Sequence, residues 1–208
     1  MRLFSLSAVE LPHIGEAVPR RGNRATQAVS ALLLQAFGWR IEGDIPDVSK
    51  AVILGAPHTS NWDFALTLLT AFALGVRLQW VGKHTLFRGP SGWFMRWAGG
   101  VPVDRSAAAG FVGAMITEFK RRPAFLLAIM PQGTRRSGTP WKSGFHYIAR
   151  GAQVPIIPVA FDYRHKVMRF GRAFTTTDDR ARCCRNPVVF RWRSRRAPAC
   201  LTTIRSCP

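Results

Sequence analysis

The sequence predicts an α/β layered domain, a central and mostly parallel or mixed sheet flanked by helices. Short apolar runs with strand character recur at 50–56, 78–82, 124–130, 155–161 and 166–170. Stretches with helical spacing separate them, at 63–75, 90–98, 106–121 and 143–150. That alternation is what strands covered by helices on both faces produce. The chain has 208 residues, 47% of them hydrophobic, which is enough for one sizeable core but hardly for two.

Residues 1–20 are expected to be an irregular segment, punctuated by Pro12, Gly15 and Pro19. They lack a basic start followed by a clean apolar run, so no secretory signal is expected. From Thr26 to Trp39, Val29, Leu32, Leu33 and Phe37 recur at helical spacing, flanked by Arg20, Arg21, Arg24 and Arg40. Such a helix suits either packing on the core or contact with an anionic membrane surface. Val52-Ile53-Leu54 reads as a buried strand that Pro57 stops, and Phe64 to Leu74 resumes as a helix apolar nearly all round. That helix falls short of the roughly 20 residues that span a bilayer, so peripheral attachment is expected rather than a transmembrane span.

Trp93, Phe94, Met95 and Trp97, with Arg88 and Arg96, form an aromatic-basic cluster. Aromatics at this density more often pack in a core. The alternative puts them at headgroup depth or along an acyl-chain groove. Gly100 to Val103 is a short apolar stretch leading to Asp104 and Arg105. Phe125 to Met130 ends in the turn-forming run Pro131-Gln132-Gly133-Thr134-Arg135-Arg136. Backbone N–H groups, a hydroxyl and guanidiniums of that kind suit an oxyanion or phosphate, or else a solvated basic turn. Val154 to Val159 is bracketed by Pro155 and Pro158, which mark a sheet edge or a strand start.

The densest chemical signal is His58-Thr59-Ser60-Asn61-Trp62-Asp63. On one continuous helix the two ends would point about 140° apart, since each residue turns by ~100°. With His58 on a loop and Asp63 in a first helical turn, imidazole and carboxylate can meet. A neutral imidazole takes a proton from a hydroxyl as that oxygen attacks a carbonyl, and a carboxylate on the other ring nitrogen fixes the tautomer. The plainer reading has Ser60 and Asn61 capping the helix while His58 satisfies a backbone group.

In order and spacing, four segments together resemble the phospholipid/glycerol acyltransferase family, which includes the lysophosphatidic acid acyltransferases. They are His58-x4-Asp63, the segment ending in Arg105, Pro131-Gln132-Gly133-Thr134-Arg135, and Val154 to Val159. Lys83 to Pro90 resembles the family's lysine-containing segment, and Trp141 to Phe145 resembles the opening of the helix after the third motif. The resemblance covers roughly residues 20–175 and departs at Gln132, where the family carries glutamate. An amide keeps the shape and hydrogen-bonding reach of that carboxylate and loses its charge.

The resemblance implies an O-acyltransferase of phospholipid biosynthesis. His58 would be the base and Asp63 its support, with Lys83, Arg105, Gln132, Gly133, Thr134 and Arg135 around the substrate. The acceptor would be a lysophospholipid or glycerol-phosphate hydroxyl, and the donor acyl-CoA or an acyl carrier protein. Transfer would be direct, without a covalent acyl-enzyme, a cofactor or a metal. The alternatives are a catalytically impaired lipid-binding relative, motivated by Gln132 and by the Arg/Cys-rich tail beyond residue 179, and a basic nucleic-acid-binding protein.

Charge bears on the last alternative. The formal net charge is +19, yet residues 180–208 alone supply eight arginines and no acid, so the preceding chain is basic without them. Such a surface attracts anionic lipid, coenzyme A phosphates or an acidic carrier protein. It would attract nucleic acid too, but no nucleic-acid fold signature is present and no nucleic-acid partner is expected. The five histidines form no metal-ligand cluster. All four cysteines lie beyond residue 182, at spacings that suit neither a disulfide framework nor zinc. The sequence thus divides into residues 1–20, an acyltransferase-like domain over 21–179, and an Arg/Cys-rich tail over 180–208, expected to be poorly ordered or a frameshifted reading. The place of action implied is the cytoplasmic face of a membrane.

Overall fold

Strand and helix alternate in the computed structural model much as the apolar runs predict. It describes residues 12–57, 60, 62–103, 108–133 and 141–176. The elements are α1 (Arg24–Ala36), β1 (Arg40–Glu42), β2 (Lys50–Ala56), α2 (Trp62–Ala73), β3 (Leu78–Lys83), α3 (Pro90–Trp97), β4 (Gly100–Val103), α4 (Ala108–Arg121), β5 (Phe125–Ile129), α5 (Gly144–Ala152), β6 (Ile156–Asp162) and β7 (Val167–Phe170), with a 3₁₀ turn at His84–Phe87. The strands form one sheet in the order β1-β7-β6-β2-β5-β3-β4. The block β6-β2-β5-β3-β4 is parallel throughout, β7 runs antiparallel to β6, and β1 is parallel to β7. The sheet is therefore mixed and mostly parallel.

Two short strands escape the sequence reading. β1 pairs only with β7 and β4 only with β3, so both are edges. Neither segment carries a distinct strand signal of its own, and each becomes a strand because a neighbour offers a ladder. The first helix starts earlier than expected because Asn23 caps it. The Asn23 side chain accepts the Thr26 N–H at 2.9 Å, and the Thr26 hydroxyl accepts the Asn23 N–H at 3.0 Å. It ends before Gly38, whose φ of +76° no helix continues through.

Side chains alternate across the sheet into two apolar layers. On β2, Ala51 and Ile53 enter a core shared with Leu34 of α1 and Leu66 of α2. Val52 and Leu54 enter a second core with Met115 of α4 and Ile148 of α5. Strands buried on both faces read as unbroken apolar runs, which is why 50–56 and 124–130 stood out. Pro158 lies inside β6, an internal strand, rather than at an edge or a strand start. It sits between the isolated Ile156–Phe174 bridge and the β6–β7 ladder, which begins at Val159–Phe170. The sheet tolerates its missing N–H at that interruption, and its carbonyl accepts the Gly171 N–H at 2.7 Å. Among the described residues no helix is long and apolar enough to cross a membrane.

Candidate functional site

Because β6, β2, β5, β3 and β4 run in parallel, the segments leaving their C-terminal ends gather along one edge of the sheet, the usual position for ligands in such folds. The segments there, in spatial order, are the turn after β6, the β2–α2 junction, the turn after β5, the end of β3 and the segment after β4. Four of the five carry sequence-predicted site residues.

At the β2–α2 junction Asp63 is fully buried. Its Oδ2 accepts the Ser60 N–H at 2.9 Å, while Ser60 Oγ accepts the Trp62 N–H at 3.1 Å. This is a capping arrangement, Ser60 at the helix start and a carboxylate three residues on, and it places the acid locally. The capping role that the sequence offered for Ser60 is thus present, and it orients Asp63 rather than replacing it. Oδ1 accepts the hydroxyl of Tyr163, which arrives from the turn after β6. The Trp39 and Tyr163 rings meet at right angles, 5.2 Å between centroids. Burial raises the pKa of the Tyr163 phenol above its ordinary value, and the hydrogen bond and charge of Asp63 raise it further against a smaller opposing effect from Ser60. The phenol therefore stays a donor. His58 lies outside the described residues, as do Thr59 and Asn61.

After β5 the chain turns at once. The Gly133 N–H donates to Met130 O at 3.1 Å, closing a turn with Pro131 in its second position and Gln132 in its third. Gly133 has φ +63°, a conformation open to glycine and strained for most other residues. Gln132 is buried beneath the turn. The Lys142 N–H donates to Pro131 O at 2.8 Å, and Lys142 Nζ lies 3.6 Å from where a side chain on Gly133 would begin. Thr134, Arg135 and Arg136 lie outside the described residues.

Lys83 closes β3 and is exposed. Its register partner is Val103, the last residue of β4, so the chain leading to Arg105 departs beside Lys83. Arg105 itself lies outside the described residues. Asp63, Gln132, Gly133 and Lys83 are thus on one edge. Tyr163 and Lys142 belong to the same edge and were missed as site residues. A single tyrosine after a strand carries no spacing signal, and Lys142 was read only as part of a helix-opening segment.

Beneath this edge an apolar cavity with about 500 Å³ of empty space, mouth included, runs between α2 and the sheet. Gly55, Thr67, Ala71, Leu126, Val159 and Phe161 are among its lining. Gly55 sits near the end of β2, and Thr67 donates its hydroxyl to the Asp63 carbonyl at 2.7 Å. The cavity therefore begins one helical turn from the buried acid.

The fold has a counterpart among solved structures. The crystal structure of the 1-acyl-sn-glycerophosphate (LPA) acyltransferase PlsC from Thermotoga maritima superposes with a TM-score of 0.57 over 79% of this chain and 75% of that one, at 14% identity. Among curated proteins, a 1-acyl-sn-glycerol-3-phosphate acyltransferase from Haemophilus influenzae is 29% identical over 150 residues, 67% of this chain and 61% of the relative. A protein of the same name from Salmonella typhimurium is 30% identical over 138 residues, 61% of this chain and 54% of the relative. The chain thus spans a little over half the length of these relatives. Residues 39–162 match the family model described as Acyltransferase, a stretch that holds more than half of the chain and every site residue expected from the sequence, and the protein belongs to that family.

Proposed function

We propose that the protein transfers a fatty acyl group from a thioester to a hydroxyl of a lysophospholipid or glycerol-phosphate acceptor at a membrane face. One observation supports this above the rest. A fully buried carboxylate, Asp63, is held by the Ser60 N–H and the Tyr163 hydroxyl at a strand edge shared with Lys83 and the Gly133 turn, directly above an apolar cavity.

In this reading His58 takes the proton of the acceptor hydroxyl as its oxygen attacks the thioester carbonyl. Asp63 stabilises the imidazolium, and Tyr163 and Ser60 hold the carboxylate in place. The tetrahedral intermediate collapses, breaking the carbon–sulfur bond, and the imidazolium returns the proton to the departing thiolate. No nucleophilic serine or cysteine is required, and the chemistry calls for no resident cofactor. Lys83, Arg105 and Arg135 bind the acceptor phosphate, with Gln132, Gly133 and Thr134 shaping the loop around it. The acyl chain enters the cavity under α2, whose lining is almost wholly apolar.

The test is incubation of the purified chain with a panel of lysophospholipids and acyl-CoA or acyl carrier protein, followed by mass spectrometry. A product one acyl group heavier than its acceptor, lost in His58→Ala and Asp63→Asn, is the expected result. Absence of product from the parent chain, or its persistence in His58→Ala, overturns the reading.

A further inference from the structure

The cluster at Trp93, Phe94 and Trp97 does not pack into the core. These residues are 72%, 44% and 47% exposed and fall within about 100° of arc on α3. The opposite side of the helix is the inner one, where Gly92 is buried and Met95 packs on the core beneath. That core also takes Ala31 and Leu34 of α1, so both helices lie on the same side of the sheet. α1 likewise turns apolar residues outward, with Val29, Leu32 and Leu33 exposed, as is Phe37 just past its C-terminus. Arg21 ties the two regions together. Its guanidinium stands 4.7 Å from the Trp97 ring and 5.5 Å from the Phe72 ring, and it donates to the Trp97 carbonyl.

The segments that build this surface carry one sign of charge. Residues 64–103 contain no aspartate or glutamate but include Arg77, Lys83, Arg88 and Arg96. Residues 17–41 contain none either and include Arg20, Arg21, Arg24 and Arg40. A protein groove prefers a buried aromatic anchor with a mixed polar rim. A helix bearing exposed tryptophans, with arginines and no acids in its own segment, suits an interface that is apolar below and anionic above.

We propose that the outer face of α3, continued by α1, docks on the headgroup region of an anionic phospholipid bilayer. The inference rests on the reading that the acceptor is a membrane lipid, and it adds which face meets the leaflet. Leu86 and Arg88, both exposed, lie between Lys83 and α3, so the docking face adjoins the phosphate-binding edge. Docking there brings that edge to headgroup level.

The experiment uses the full chain and two variants, Trp93→Ala combined with Phe94→Ala, and Arg88→Glu. Both alter exposed side chains, and circular dichroism checks their folding. Co-sedimentation is measured with vesicles of phosphatidylcholine alone and of phosphatidylcholine with phosphatidylglycerol, at low and high salt. The parent is expected to prefer the anionic vesicles and to keep part of its binding at high salt. The aromatic variant loses that salt-resistant part and binds about tenfold more weakly or worse. Arg88→Glu loses about fivefold or more at low salt.

Transfer to a monomeric short-chain acceptor without vesicles stays at the parental rate in both variants, while transfer to vesicle-embedded acceptor falls. Vesicle binding by the aromatic variant equal to the parent's overturns the inference, as does failure of the parent to bind anionic vesicles. Binding that salt abolishes entirely in the parent overturns it as well. The vesicle measurement decides the docking surface whether or not any acceptor is acylated, so its failure is distinguishable from failure of the catalytic reading.

Discussion

The Tyr163 hydroxyl donates to Oδ1 of Asp63, joining the turn after β6 to the first turn of α2 across 100 residues of sequence. Strand order makes this contact possible, because β6 and β2 are neighbours in the sheet. A hydrogen bond to a charged group contributes about 1.5–3 kcal/mol. Tyr163→Phe should therefore keep the fold and lower kcat by about tenfold or more with little change in KM, as expected for a residue that positions another. Steady-state kinetics against acceptor concentration provides the check, and an unchanged kcat would remove Tyr163 from the mechanism.

The same contact predicts a pH dependence of stability. Burial and Asp63 keep the phenol protonated in the folded chain beyond the pH at which an unfolded tyrosine ionises. Its folded pKa is raised, so this contribution is complete below about pH 10 and declines as pH rises further. Thermal melts of the parent should fall more steeply above about pH 10 than those of Tyr163→Phe. Parallel curves would contradict the assignment.

Asp63→Asn and Asp63→Ala separate cap from catalysis. Asparagine still offers an oxygen to the Ser60 N–H, so the helix start survives while imidazolium stabilisation is lost. Transfer should drop by about 10³–10⁴-fold with little change in melting temperature. Alanine removes the cap as well and should cost a further 0.5–2 kcal/mol or so of stability. Chemical denaturation alongside turnover measurement distinguishes the two.

Gly133→Ala probes the turn after β5. A Cβ there meets Lys142 only at ordinary contact distance, so the strain comes from the backbone at φ +63°. That strain is about 1–2 kcal/mol. The expected outcome is a small loss of stability and a rise in KM for the phosphate-bearing acceptor, since the turn must shift. An unaltered KM would place phosphate binding elsewhere.

Two cavity substitutions bear on the acyl chain. Thr70 Oγ1 is buried without a hydrogen-bond partner among the described residues. Thr70→Val keeps the shape and removes a desolvated hydroxyl, so stability should hold or rise by about 1 kcal/mol. Ala71 lines the cavity, and Ala71→Phe fills part of it. Product analysis with a ladder of acyl-CoA lengths should show preference moving to shorter chains, and an unmoved preference would put the chain in another channel.

The sequence by itself determined the α/β class, five of the seven strands and the five α-helices among the described residues, and the order of the motifs along the chain. Those features are local, since burial on both faces makes 50–56 continuously apolar and a capping serine with an acid three residues on can be read within one turn. Tertiary structure decided what depends on neighbours distant in sequence. β1 and β4 exist because β7 and β3 lend them hydrogen bonds. Pro158 is tolerated in an internal strand because the ladder is interrupted beside it. Trp93 and Trp97 face outward although their density argued for a core, since Gly92 and Met95 take the inner side of α3. The partnership of Tyr163 with Asp63 was likewise invisible beforehand. Spacing along a chain reports which residues share one element, and only the order in which strands pair reports which loops meet.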